Sequence, residues 1–243
     1  MIRLVRPTAI PGSLFLPVVQ TYLTAYAAHV ANPTTVAKPK KPSNYRSWDV
    51  LQIFETDFFA KCYLTEESFY SAGVMDVDHF IPAGQNPNLT FDWNNLFPAS
   101  HQANMMRPRT LPVGGLLNPC VDNVEVEITY FLDPFGEDPG FLARDSTNVK
   151  AANTVALLNR LHNGDGTIKS IQGTKHLRVA IQRKFIQVIQ AHNEYMIAQS
   201  TGTPQEQAQT EHNLRMLLSR RKAFTMLMRS IPAINKNLSH LFD

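Results

Sequence analysis

Cysteine is scarce: Cys62 and Cys120 are the two in 243 residues, and they lie far apart. Two isolated thiols cannot build the disulfide framework of a small secreted domain, and they fit a reducing compartment. Long apolar runs are missing too. No stretch approaches the roughly 20 apolar residues that span a bilayer. The apolar segment after Arg3 and Arg6 is cut by Pro7, Pro11 and Pro17, with Gln20 and Thr21 close behind, which argues against a secretory leader. The expectation is a cytoplasmic protein with no membrane segment. Strong net charge is also absent, since the balance is +3. Internal repeats and low-complexity tracts are not found.

What is present is an ordinary globular composition, 44% hydrophobic and 18% charged, long enough for one large or two small cores. The charge is unevenly placed. Between Phe54 and Asn104 one Lys (Lys61) faces seven Asp or Glu, whereas Lys169 to Arg229 holds ten basic residues against three acidic ones. An acidic stretch able to hold a cation is thus followed by a basic stretch able to face a polyanion, or simply by solvated helix faces.

Apolar spacing predicts an α+β fold that is mostly helical. A stripe of Val18, Val19, Tyr22, Leu23, Tyr26, Ala27 and Val30 marks a helix over 16–30, and Val50, Leu51, Phe54, Phe58 and Phe59 mark another over 48–60. Between them, 32–44 carries three prolines and Lys38, Lys40 and Lys41, and reads as an exposed connector. Residues 74–81 are strand-like. A short helix is bracketed by Pro98 and Pro108, and Val124, Val126, Ile128 and Tyr130 alternate as a half-buried strand. Helices are expected near 148–162, 174–198 and 204–229, with a short one at the end. The resulting division is 1–44 (helix and connector), 45–110 (core), 111–147 (strand-containing connection) and 148–243 (helical region).

The chemistry concentrates in Asp76-Val77-Asp78-His79-Phe80-Ile81-Pro82, Trp93-Asn94-Asn95-Leu96-Phe97-Pro98 and Asn104. Phosphodiester hydrolysis needs a base for water and neutralisation of phosphoryl charge. An imidazole with a pKa near 6.5 suits the first task and a divalent cation the second. Neighbouring strand residues point to opposite faces, so Asp78 and His79 can share a phosphate only where the strand ends; Pro82 fits such an ending. Asp78 and Asn104 form an oxygen-only donor pair, which suits Mg²⁺ or Mn²⁺ better than Zn²⁺.

These motifs resemble the ββα-metal core of HNH endonucleases. In that family an Asp-His pair on the first strand is followed by an Asn in an Asn-Leu dipeptide, then by His or Asn in the helix. The resemblance implies that His79 is the general base and that Asp78 and Asn104 are metal ligands. It implies that Asn95 tethers the loop and fixes the His79 orientation. Many members hold a structural zinc with four cysteines; here Cys62 aligns with one, while Thr65, Ser100 and Ala103 stand at the others, so no structural zinc is expected. Packing by Leu64, Phe80, Trp93 and Phe97 would replace it. Met1 to Arg6 with Leu14, Phe58 to Tyr63 and Asp78 to Pro82 further resemble the PtuB-type HNH subunit of Septu and retron-associated antiphage systems. That likeness implies an ABC/SMC-like (PtuA-like) ATPase partner and a nucleic acid substrate, DNA or RNA.

Several residues carry two readings. His101 either faces a phosphate or is an exposed helix residue; Arg107 and Arg109 either clamp a phosphate or serve the surface. Glu66 and Glu67 read as solvated charges. Arg220-Arg221-Lys222 is a nucleic-acid or partner contact, or the wet side of an amphipathic helix. His162, His176, His192 and His212 lack metal-ligand spacing and read as structural. The alternatives to a defence nuclease are an inactive HNH-fold module that docks an ATPase or nucleic acid, and a stand-alone restriction-type endonuclease.

Overall fold

The structure, a computed structural model, describes residues 1–132 and 138–243, apart from the side chains at 169 and 170. These residues fall into two compact units: 4–63 with 69–113, and 1–3 with 64–68 and 114–243. The fold class is α+β and mostly helical, with two small antiparallel sheets. No helix is long and apolar enough to cross a membrane, among the described residues.

In the first unit Pro17, with no N–H to lose at a helix start, opens α1 (Pro17–Ala31). Only Val19 and Tyr22 of the expected stripe are buried, and Val18 and Val30 are exposed. Helix α2 (Trp48–Thr56) buries Val50 and Phe54. It stops short of the expected Ala60, because Phe59 and Ala60 take left-handed φ values of 59° and 47°. The turn is closed by the Ala60 N–H on the Phe54 carbonyl at 2.9 Å.

Strands β1 (Asp76–His79) and β2 (Leu96–Ala99) pair antiparallel, with Asp78 opposite Phe97 and His79 opposite Leu96. Pro98 therefore lies in a strand, opposite Val77, rather than opening the helix. A two-stranded ladder is all edge, so the missing N–H is tolerated, and the Pro98 carbonyl accepts the Tyr63 N–H at 2.9 Å. Helix α3 (His101–Met106) is opened instead by Ser100, whose hydroxyl accepts the Ala103 N–H. Around this ββα element Phe54, Phe58, Trp93 and Phe97 form an aromatic core. The Arg6 guanidinium sits 4.5 Å from the Trp93 ring centre and 4.4 Å from that of Phe97, and donates to the Trp93 and Leu96 carbonyls.

The second unit begins its regular structure with α4 (Val124–Glu127), where the alternation suggested strand. Local bonds decide this: the Asn123 carbonyl accepts the N–H groups of Val126 and Glu127 at 3.0 and 3.2 Å. The strand is confined to β3 (Ile128–Leu132), paired antiparallel with β4 (Pro139–Ala143). Gly140 faces Phe131 across this pair. A Cβ there would lie 1.9 Å from the Phe131 ring, so any larger residue would have to displace that half-exposed ring.

Helix α5 (Val149–Asn163) packs on β4. It is followed by α6 (Ile168–Gly173), α7 (Lys175–Thr201), α8 (Pro204–Leu218), α9 (Thr225–Arg229) and α10 (Pro232–Asn237). Helices α7 and α8 pack on each other, and a capping box between Thr203 and Glu206 starts α8.

The single helix expected over 204–229 is broken. Ser219 is extended, Phe224 has φ 55°, and the Phe224 N–H is bonded to the Glu66 carbonyl at 3.1 Å. Arg220-Arg221-Lys222 therefore occupies a turn, not a helix face. Glu66, expected to be solvated, is 2% exposed and accepts the Met226 N–H.

His162 is buried, with Nδ1 on the Leu158 carbonyl at 2.8 Å and its ring against Phe141. Burial pushes its pKa from 6.5 down to about 4. The folded state thus refuses a proton that the unfolded chain accepts, and stability falls as pH drops from about 6.5 toward 4. Each pH unit in that window costs up to about 1.4 kcal/mol from this group. A His162→Phe variant is expected to show a slope of unfolding free energy against pH shallower by up to one proton, read from urea titrations between those limits.

Candidate active site

His79 is the last residue of β1, so the chain leaves the strand just where Asp78 and His79 must be brought to one side. Both line one cavity of about 200 Å³ with Asn104, Arg107 and Arg109, edged by Pro82, Ala83 and Pro108. Of the residues expected from sequence, the structure brings these five together. Asn95 and His101 are not among them.

Asn95 is buried behind the cavity and acts on the loop between the strands. Its Oδ1 accepts the Ile81 N–H at 2.7 Å, and its Nδ2 donates to the Ile81 and Leu89 carbonyls, each at 3.0 Å. The loop is thereby closed on itself. The neighbouring Thr90 carbonyl then lies 3.0 Å from His79 Nε2. A carbonyl only accepts, so Nε2 carries the proton and the neutral ring has its lone pair on Nδ1. Burial first and Lys41 second push the His79 pKa below the usual imidazole value, which keeps the ring neutral at pH 7.

Asp78 is 6% exposed. Its Oδ2 accepts the Tyr63 hydroxyl at 2.6 Å and pairs with Arg107 Nη1. Burial raises the Tyr63 pKa well above its ordinary value, so the hydroxyl stays protonated and donating. Among the described residues no donor engages Oδ1. The same Arg107 also donates to the carbonyls of His79 and Phe80. This corrects the reading of Arg107 as a plain surface residue: it is 7% exposed, and its two terminal nitrogens are bonded to Asp78 and the strand end while it lines the cavity. Arg109 is exposed at the cavity edge and keeps both readings.

Asn104 Nδ2 donates to Asp76 Oδ2 at 3.0 Å. With the amide nitrogen held there, the carboxamide oxygen is the end left for another partner. His101 Nδ1 approaches the same Asp76 oxygen at 2.9 Å, and its ring is largely exposed. Sequence reasoning placed Asp76 in the chemistry-bearing segment but gave it no role. The signal was available, since residues two apart on a strand share a face and Asp76 precedes Asp78 by two.

A second omission is the Lys41–Tyr45 pair. The Tyr45 ring lies 5.3 Å from the His79 ring, and Lys41 Nζ lies 4.2 Å from the Tyr45 ring centre. Lys41 is exposed, and among the described residues it pairs with no acid. A Pro/Lys-rich connector gives no periodic signal to a particular lysine, so this one was not legible.

Of the positions aligned with zinc-binding cysteines, Cys62, Thr65, Ser100 and Ala103 are each buried. Among the described residues no group of three or more His, Cys, Asp or Glu is placed to hold a metal ion.

Part of this chain is similar to a known protein. Septu protein PtuB of Bacillus thuringiensis is 34% identical over 74 residues, which make up 30% of this chain and 27% of that protein. The chain thus matches little more than a quarter of that relative's length. No family model and no solved structure matches.

Removing Arg107 would leave the Asp78 carboxylate buried without its cation. Arg107→Met is expected to destabilise the protein by about 3–5 kcal/mol. Adding Asp78→Asn should restore part of that loss, as read from a double-mutant cycle of urea unfolding.

Proposed function

We propose that this chain is an HNH-type, metal-dependent nuclease that hydrolyses phosphodiester bonds in nucleic acid through the Asp78–His79–Asn104 cavity. The observation that carries the proposal is the neutral His79 ring, tied at Nε2 to Thr90, with Nδ1 free to take a proton beside the Asp78 carboxylate. A carbonyl anchor on one nitrogen and a lone pair on the other is what a general base for water requires. The lowered pKa keeps that lone pair available at neutral pH.

The donor chemistry fits a hard cation such as Mg²⁺ or Mn²⁺: Asp78 Oδ1 and the Asn104 carboxamide oxygen would hold it. When bound, such an ion supplies Lewis-acid neutralisation of phosphoryl charge. The protein's own groups do the rest. Asn95 and Thr90 hold the imidazole still, Asp76 holds the Asn104 amide, and Arg107 and Tyr63 fix the Asp78 carboxylate. Lys41 and Arg109 provide exposed positive charge for the substrate backbone.

The similarity to Septu protein PtuB supports a role in antiphage defence within a complex. The motif resemblance, not that similarity, suggests an ABC/SMC-like ATPase as the partner that directs or restrains cleavage. One observation favours a second reading, a non-catalytic binding module: Arg107 already neutralises the Asp78 carboxylate from within.

Cleavage separates the two. Purified protein with Mg²⁺ or Mn²⁺, with and without the ATPase, is expected to cut defined DNA or RNA, and EDTA should stop it. His79→Ala should lower the rate by about 10²–10⁴-fold with unchanged thermal unfolding. Full metal-dependent cleavage by His79→Ala would sink the nuclease reading. Lys41→Ala is expected to weaken substrate binding and to reduce the slope of log affinity against log salt by about one.

A further inference from the structure

A second cavity, of about 440 Å³, is walled by residues of the second unit alone and shares none with the Asp78–His79 cavity. Its volume is in the range of small-molecule sites, roughly 300–1,000 Å³. Apolar surface comes from Met226, Pro232 and Phe242. Charge comes from Glu125, Arg144, Arg229 and Lys236.

Two of those four charges are answered within the protein. Arg229 donates to the Leu218 carbonyl at 2.8 Å and pairs with the Asp243 carboxylate, its guanidinium 4.7 Å from the Phe242 ring centre. Glu125 accepts the Arg3 N–H at 3.1 Å and lies 3.9 Å from Arg220. Arg144 and Lys236 pair with no acid among the described residues. The cavity is therefore left with two unanswered cations beside an apolar wall. Arg229, locked on Asp243 and Phe242, makes that wall a preformed surface.

We propose that this cavity binds a small organic anion, its phosphate or carboxylate group held by Arg144 and Lys236 and its apolar or aromatic body against Met226, Pro232 and Phe242. Bare phosphate would use the cations and leave the wall wet. An acidic side chain of a partner protein has too short an apolar stem to cover that wall, so a small molecule matches the cavity better.

Calorimetric titration of the full chain tests this with four probes: adenosine monophosphate, benzoate, inorganic phosphate and an octaglutamate peptide. The expected result is saturable one-to-one binding of at least one organic anion, tighter than inorganic phosphate. Arg144→Gln with Lys236→Gln should weaken it by about tenfold or more, one charge-assisted hydrogen bond being worth that much. Lys236→Arg should retain most of the affinity. Both changed side chains are exposed, so thermal unfolding should not move. Binding that persists in Lys41→Ala with Arg109→Ala assigns it to this cavity rather than to the other. Failure of both organic anions to saturate, equal binding by the double Gln variant, or saturation by octaglutamate alone would each overturn the proposal.

Discussion

The first unit is organised around one buried ion pair. Arg107, arriving from the end of α3, meets Asp78 near the end of β1 and in the same reach takes the carbonyls of His79 and Phe80. A carboxylate at 6% exposure is tolerable only with such a partner, because an unpaired buried charge costs several kcal/mol. The pair therefore welds helix to strand just where the chain must leave the ladder. Every candidate catalytic group takes its position from that junction: His79 from the strand end, Asn104 from the preceding turns of the helix.

Around the junction, polar groups are arranged so that one end of each side chain is tied and the other is left. His79 is tied at Nε2, Asn104 at Nδ2 and Asp78 at Oδ2. Such half-committed groups are pre-oriented without further rotamer loss. Asn95 differs in being fully committed, with three bonds to loop backbone. Its role is to hold the loop that presents the Thr90 carbonyl. The aromatic core with Arg6 over Trp93 and Phe97 supports this arrangement from behind.

The second unit follows different rules. Its helices bury apolar side chains over long stretches, yet its breaks are set by distant backbone partners. The Phe224 N–H finds the Glu66 carbonyl from a segment far away in sequence, and the basic run before it becomes a turn. Periodicity over 204–229 could not reveal this, because Leu217, Leu218, Phe224 and Leu227 satisfy a helical stripe whether or not the helix is continuous. The alternation from Val124 to Tyr130 misled for the opposite reason. Four of its residues close a helical turn by local bonds before the strand begins.

The order Asp-His, Asn-Leu, Asn along the chain was enough to mark three residues, Asp78, His79 and Asn104, that line one cavity, and apolar spacing was enough to place α1, α2, α5 and α7 within a few residues. Those are local properties, carried by residue type and period. Which face of each group stays open was decided only in three dimensions. That Arg107 is buried against Asp78, that Asp76 holds Asn104, and that Lys41 reaches the neighbourhood of His79 all depend on contacts between segments 25 to 40 residues apart in sequence. Such contacts leave no periodic trace: a charged side chain costs little to place on a surface or against a partner until the fold removes the water around it.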